Sequence, residues 1–178
     1  MDTASIFLEV MEGETTKWIS FKEISNKDRK KICYLNQNSQ MFNGTLRENL
    51  SMYDPSISDD AMKATLKTVG LDHWSLDKPI ENNGENLSEG QKRRIKLARI
   101  SFLRPDIIIL DEPEAGLDKN TIKTKLVDFI ENLKKNNPQA TILLITHSPY
   151  IMKYGEDIVI MEDGKVQTHD TITNLIND

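Results

Sequence analysis

Apolar positions along this chain fall into short unbroken runs, several helical stripes and one alternating stretch, and two of the runs organise the rest. Residues 107 to 110, Ile-Ile-Ile-Leu, are four large apolar side chains in succession, the pattern of a strand covered on both faces. Asp111 and Glu112 close the run, which predicts two carboxylates at the strand's carboxyl end, where open α/β sheets place their chemistry. Residues 141 to 146 form the second run and read as another buried strand. Between the runs, Ile122, Leu126, Phe129, Ile130 and Leu133 make a core stripe on a helix from 119 to about 135, which Asp118 can cap and Asn-Asn-Pro at 136 to 138 ends. Strand, helix and strand then make a right-handed crossover with parallel pairing. His147 follows on the same edge as Asp111 and Glu112.

Upstream the signals are shorter. Residues 6 to 11 read as a helix remnant, 12 to 14 as a turn and 15 to 21, with period-two alternation, as a strand. Residues 25 to 31 are polar and read as a loop or single helical turn before a strand at 31 to 35, with Gln37 just past its end. A helix begins near Thr45, where Glu48 three residues on predicts a capping box. Residues 58 to 69 carry Ala61, Met62, Leu66 and Val69 at helical spacing, and Gly70 stops that helix. Trp74, Leu76 and Ile80 follow in an irregular connection, with Trp74 read as a buried anchor; His73 has no second ligand at metal spacing and takes no role. Ser88 is placed to cap a helix from 89 to 103, with Ile95, Ala98 and Phe102 on one face. Lys92, Arg93, Arg94, Lys96 and Arg99 read as its solvated basic face. A strand pair at 157 to 161 and 165 to 168 and a short helix near 171 to 176 end the chain.

Composition narrows the class. A chain of 178 residues with 38% apolar and 29% charged content suits one globular domain or one incomplete large domain. A formal charge of -5 argues against non-specific nucleic-acid binding, and none is expected. Cys33 stands alone among apolar neighbours, which excludes an intrachain disulfide and favours a packed thiol. No apolar run approaches the roughly 20 residues of a spanning helix, so any membrane connection is expected through a partner.

Five segments stand in a telling order: Gln37, then 86 to 91 (Asn-Leu-Ser-Glu-Gly-Gln), then 107 to 112, then 115 to 118 (Ala-Gly-Leu-Asp), then His147. Together they resemble the nucleotide-binding domain of an ATP-binding cassette (ABC) transporter: Q-loop glutamine, LSGGQ signature, Walker B strand, D-loop and switch histidine. Glu89 departs from the signature where glycine is commonest, so its carboxylate either points away from a bound phosphate or lowers the affinity for it. Residues 41 to 49 resemble the Q-loop continuation of exporters.

The resemblance implies an α/β fold, a partial P-loop NTPase core of ABC type with a parallel sheet and a helical signature subdomain. It implies ATP and Mg²⁺ as cofactors. Asp111 would hold Mg²⁺ through water, Glu112 would orient or deprotonate the attacking water, and His147 would contact that water or the γ-phosphate. Gln37 would reach the metal and the water. Ser88, Gly90 and Gln91 would grip the γ-phosphate of ATP held by an opposing subunit, and Asp118 would couple the two sites. For Glu112 and Asp118 the plain alternative is a helix cap or solvated turn, and for His147 a polar strand end.

The phosphate cradle Gly-x-x-x-x-Gly-Lys-Ser/Thr is missing, since the only Gly-Lys pair, Gly164-Lys165, has Val159 where the first glycine belongs. The chain is therefore expected to be an amino-terminally truncated domain: 1–36 a remnant of the first half, 37–104 the Q-loop and helical part, and 105–178 the Walker B, D-loop, switch histidine and last strands. Loss of the cradle strand is expected to expose apolar residues at 107 to 110 or 142 to 145 unless another element covers them. The function implied is the ATP-binding and ATP-hydrolysing part of an exporter, weak or inactive alone. Its expected partners are a transmembrane domain and a second nucleotide-binding domain, homo- or heterodimeric, at the cytoplasmic face of the membrane. The alternative is a non-hydrolysing module that regulates or complements a P-loop-bearing chain.

Overall fold

Strands β1 (Phe7–Glu12) and β2 (Thr15–Ser20) pair antiparallel, Phe7 opposite Ser20 and Glu12 opposite Thr15. Of the helix expected at 6 to 11, the described residues 7 to 11 are instead in a strand: so short a segment has too few residues for a stable isolated helix, whereas the hairpin register pairs each residue from 7 to 12. The structure, a computed structural model, describes residues 7–12, 15–20, 32–35, 40–162 and 165–171. Gln37, the whole of the loop expected at 25 to 31, the turn residues 13 and 14 and the expected last helix beyond Thr171 lie outside them.

Strand β3 (Ile32–Leu35) leads to β4 (Gly44–Thr45) and helix α1 (Leu46–Leu50). The predicted capping box is present: Thr45 accepts from the Glu48 amide, and the Thr45 amide donates to Glu48 Oε2 at 2.7 Å. Helix α2 (Asp59–Thr68) is capped by Ser58, and Gly70, at φ +70, turns the chain after it. Strand β5 (Pro79–Ile80) pairs antiparallel with β4. Trp74 is half-buried under the Lys78 ammonium, 4.7 Å from its ring.

Helix α3 (Glu89–Ile100) begins at Ser88, and β6 (Ile107–Asp111) follows it. Helix α4 occupies 119–136: it starts as Lys119–Thr121, passes through a π-helical stretch at Ile122–Leu126 and continues as Val127–Asn136. Strand β7 (Thr141–Ile145), the short helix α5 (Pro149–Met152) and the antiparallel pair β8 (Asp157–Glu162) and β9 (Lys165–Thr171) complete the described chain. The sheet that carries the site is parallel, in the order β3-β6-β7. This is the α/β core expected from the sequence.

One apolar cluster joins that sheet to the helices: Leu35, Ile108 and Leu110 from the strands meet Leu46, Leu66, Ile95 and Ile130 from α1 to α4. Each such side chain contributes about 1.5–3 kcal/mol when buried. The strand β6 is covered as expected, with Ile108, Ile109 and Leu110 at 4% exposure or less. The strand β7 is not: Leu143 is 50% exposed and Ile145 44%. Among the described residues it pairs only with β6, so its outer face and outer edge lack the cover that a central strand has. The expected exposure falls on β7 and spares β6. The reading of α3 as carrying a solvated basic face is also corrected, because Arg93, Lys96 and Arg99 are all 7% exposed or less. No helix among the described residues is long and apolar enough to cross a membrane.

Candidate functional site

Parallel register places Asp111 of β6 opposite Ile145 of β7, so the residues that follow each strand emerge side by side. The Glu112 amide donates to the Ile145 carbonyl at 2.8 Å, which holds the two strand ends together. Glu112 itself has φ +44, a left-handed backbone that a side-chain-bearing residue adopts at a cost. Its carboxylate Oε1 stands 3.6 Å from His147 Nε2. The imidazole side chain is 89% exposed and the carboxylate 35%, so the pair faces outward from the sheet edge. Asp111, Glu112 and His147 are thus brought to one place.

Two residues that the sequence does not mark support this edge. Tyr34 of β3 donates its hydroxyl to Asp111 Oδ2 at 2.9 Å, and that hydrogen bond, with burial and the carboxylate's charge, holds the phenol above its usual range. Glu114 Oε1 accepts from the Thr146 hydroxyl and, at 3.2 Å, from the His147 amide, which anchors the end of β7. Its other oxygen is buried with no hydrogen-bond partner among the described groups. No sequence signal points to either residue, because both contacts depend on strand register.

The signature segment packs beside the D-loop. A side chain on Gly90 would place its Cβ 2.6 Å from the carbonyl oxygen of Gly116. Ser88 and Gln91 form a reciprocal capping box: the Gln91 amide donates to Ser88 Oγ at 3.3 Å, and the Ser88 amide donates to Gln91 Oε1 at 2.9 Å. The side chains singled out for phosphate are therefore committed to the first turn of α3 in this arrangement. Glu89 turns to Lys92, 2.8 Å away, and that ammonium holds its carboxyl below the usual range. Asp118 caps α4 through the Asn120 and Thr121 amides, each at 3.0 Å, and bonds with Thr121 lower its pKa.

Among the described residues no group of three or more His, Cys, Asp or Glu side chains could enclose a metal. Mg²⁺ takes one or two carboxylates together with waters and phosphate oxygens rather than a cage made of protein, so a single carboxylate at a strand end fits its chemistry. Asp111 places such a carboxylate at the carboxyl end of β6.

The family model described as ABC transporter matches residues 5–115. This chain belongs to the ABC transporter family. The matched range holds the signature segment, Asp111 and Glu112, while Asp118 and His147 lie beyond it. The microcin-J25 export ATP-binding/permease protein McjD of Escherichia coli is 31% identical over 154 residues, 83% of this chain and 26% of that protein. The glutathione/L-cysteine transport system ATP-binding/permease protein CydC of Escherichia coli is 28% identical over 152 residues, again 83% of this chain and 26% of that protein. The energy-coupling factor transporter ATP-binding protein EcfA of Methanosphaera stadtmanae is 27% identical over 176 residues, 94% of this chain and 60% of that protein. The chain thus spans only part of these ABC proteins. In fold it is similar to a bacterial Atm1-family ABC exporter solved with ATP bound, at TM-score 0.76 and 18% identity over 92% of this chain and 30% of that one.

Proposed function

We propose that this chain supplies the signature, metal-holding and water-orienting parts of an ABC-type ATP-hydrolysing site that powers export. The observation that carries the reading is the meeting of Glu112 and His147 at 3.6 Å beside Asp111, on the carboxyl edge of a parallel sheet. Phosphoryl transfer asks the protein for positioning and charge stabilisation more than for covalent chemistry. Mg²⁺, when bound, would neutralise charge developing on the phosphate oxygens. Asp111 would hold it, with Tyr34 fixing the carboxylate, and Gln37 would reach the same metal and water.

Glu112 would take a proton from the attacking water, or orient that water, and His147, 3.6 Å from that carboxylate, would contact the water or the γ-phosphate. Gly90 would present the amides of the α3 amino terminus to a phosphate, with Ser88 and Gln91 keeping that turn in shape and Asp118 setting the start of the neighbouring helix. The boundaries at 36/37 and 104/105 belong to this proposal. So do a transmembrane domain and a second nucleotide-binding domain as partners, and a place at the cytoplasmic face of a membrane.

No Gly-x-x-x-x-Gly-Lys-Ser/Thr occurs in the 178 residues, so the phosphate cradle would be supplied by an element outside them. The exposed face of β7 favours a second reading, in which the chain complements or regulates a P-loop-bearing partner without hydrolysing ATP itself. One experiment separates the two: MgATP turnover by the chain alone and mixed with a P-loop-bearing polypeptide, each with Glu112→Gln as control. Turnover that needs the partner and falls with Glu112→Gln supports the first reading. Binding to the partner with no turnover supports the second.

A further inference from the structure

Arg93 sits one turn into α3 and is only 4% exposed. Its guanidinium donates to the main-chain carbonyls of Asp111 and Glu112, and its Nε to that of Pro113 at 3.4 Å. Three successive carbonyls can converge on one group only where the chain turns sharply. The turn is made at Glu112, whose φ of +44 is a strained backbone for a residue with a side chain.

We propose that Arg93 is a positioning residue that holds the strained backbone of Glu112, and through it the direction of the carboxylate facing His147. Burial of a cation is costly unless hydrogen bonds and nearby charge offset it. Here burial pushes the guanidinium below its usual range, and Asp111, then Glu114 and Glu112, pull it back up. An apolar residue in the slot would take this donor away from the carbonyls of Asp111, Glu112 and Pro113, so the choice of cation follows from the carbonyls. Arginine suits the task because its planar fork directs several N–H groups at once, whereas an ammonium offers a single point. The Glu112 amide is held from the other side by the Ile145 carbonyl. The carboxylate is therefore aimed jointly by the signature helix and by β7. In mechanism the inference rests on the role proposed for Glu112, but its structural half is testable without nucleotide.

The test is a double-mutant cycle on the full chain: wild type, Arg93→Lys, Glu112→Gly and the double variant, unfolded in urea, with amide exchange at residue 112 read by NMR. Glycine removes the backbone strain, so Arg93→Lys should lower the urea midpoint of wild type at least twice as far as that of Glu112→Gly. It should also speed exchange of the Glu112 amide about tenfold, the effect of losing ~1.4 kcal/mol of local stability. Equal midpoint shifts in both backgrounds, or unchanged exchange, would overturn the proposal. Should Arg93→Lys fail to fold, recovery of folding in the double variant supports it and failure of both overturns it. In the mixture with a P-loop-bearing polypeptide, Arg93→Lys should lower kcat about tenfold with KM for ATP unchanged; an unchanged kcat would also overturn it. Absence of turnover by wild type would count against the proposed function, while the urea cycle would still decide whether Arg93 holds the Glu112 backbone.

Discussion

Gly90 and Gly116 touch so closely that a methyl group on the first would lie 2.6 Å from the carbonyl oxygen of the second. Alanine at position 90 would gain up to ~1 kcal/mol in helix propensity. The obstructing atom is main chain and cannot swing aside, and forced overpacking costs about 1–3 kcal/mol, so the clash should win. Gly90→Ala is expected to lower the urea midpoint, whereas a mutation that merely improved the helix would raise it.

Tyr34→Phe removes the hydroxyl that donates to Asp111 and little else. At this exposed position the stability change should stay near ~1 kcal/mol, the ordinary net value of a hydrogen bond. The larger effect is expected in Mg²⁺ dependence: in a reconstituted mixture the half-saturating Mg²⁺ concentration for turnover should shift several-fold, with Tyr34→Phe and wild type compared at saturating ATP.

Burial pushes the Cys33 thiol up to about 11. The folded state therefore holds its proton more tightly than the unfolded chain. The stability this contributes is complete below the ordinary value near 9 and disappears as pH rises through 11. Alkylation by iodoacetamide should be slow at pH 8 and should keep accelerating beyond pH 9 in native protein, while urea-unfolded protein levels off near 9. A plateau at 9 in both states would contradict this.

Asn49 and Arg99 form a buried hub. Asn49 accepts from the Phe42 amide at 3.0 Å and from Arg99, and donates to the Phe42 and Thr45 carbonyls; Arg99 also reaches the Gln40 and Asn49 carbonyls. Asn49→Ala removes the acceptor of the part-buried Phe42 amide and one acceptor of the buried Arg99 guanidinium, the latter alone costing ~1–3 kcal/mol. Thermal unfolding should show a loss of about 2–5 kcal/mol in total. Asn49→Asp, which keeps the acceptor toward Arg99, should lose less.

What can be read from the chain is what depends on neighbours in sequence. The Thr45–Glu48 box, the Ser88 and Asp118 caps and the β6 run are local patterns, and each forms where expected. The clustering of Asp111, Glu112 and His147 follows from one rule about strand ends. The β4–β5 pairing is invisible in the sequence because two residues on each side leave no periodicity to detect. The cations of α3 look solvated in sequence because their partners, where the contacts are seen, are largely main-chain carbonyls, which no composition reveals. The strand β7 has as many apolar residues as β6, and its half-exposed face reflects its position in the sheet.

The sheet order also has a temporal meaning. Thr146 meets Glu114 across 32 positions of chain, whereas Tyr34 reaches Asp111 across 77. The longer closure costs under ~1 kcal/mol more, which is a few-fold in rate if paid before the contact forms. The unit β6-α4-β7 is thus expected to assemble first, carrying both Glu112 and His147, and β3 to join afterwards with Tyr34. In pulse-labelled amide exchange during refolding, 107–111 and 141–145 should gain protection ahead of 32–35. The pair of Glu112 and His147 would then be in place while the Asp111 carboxylate still waits for its phenol.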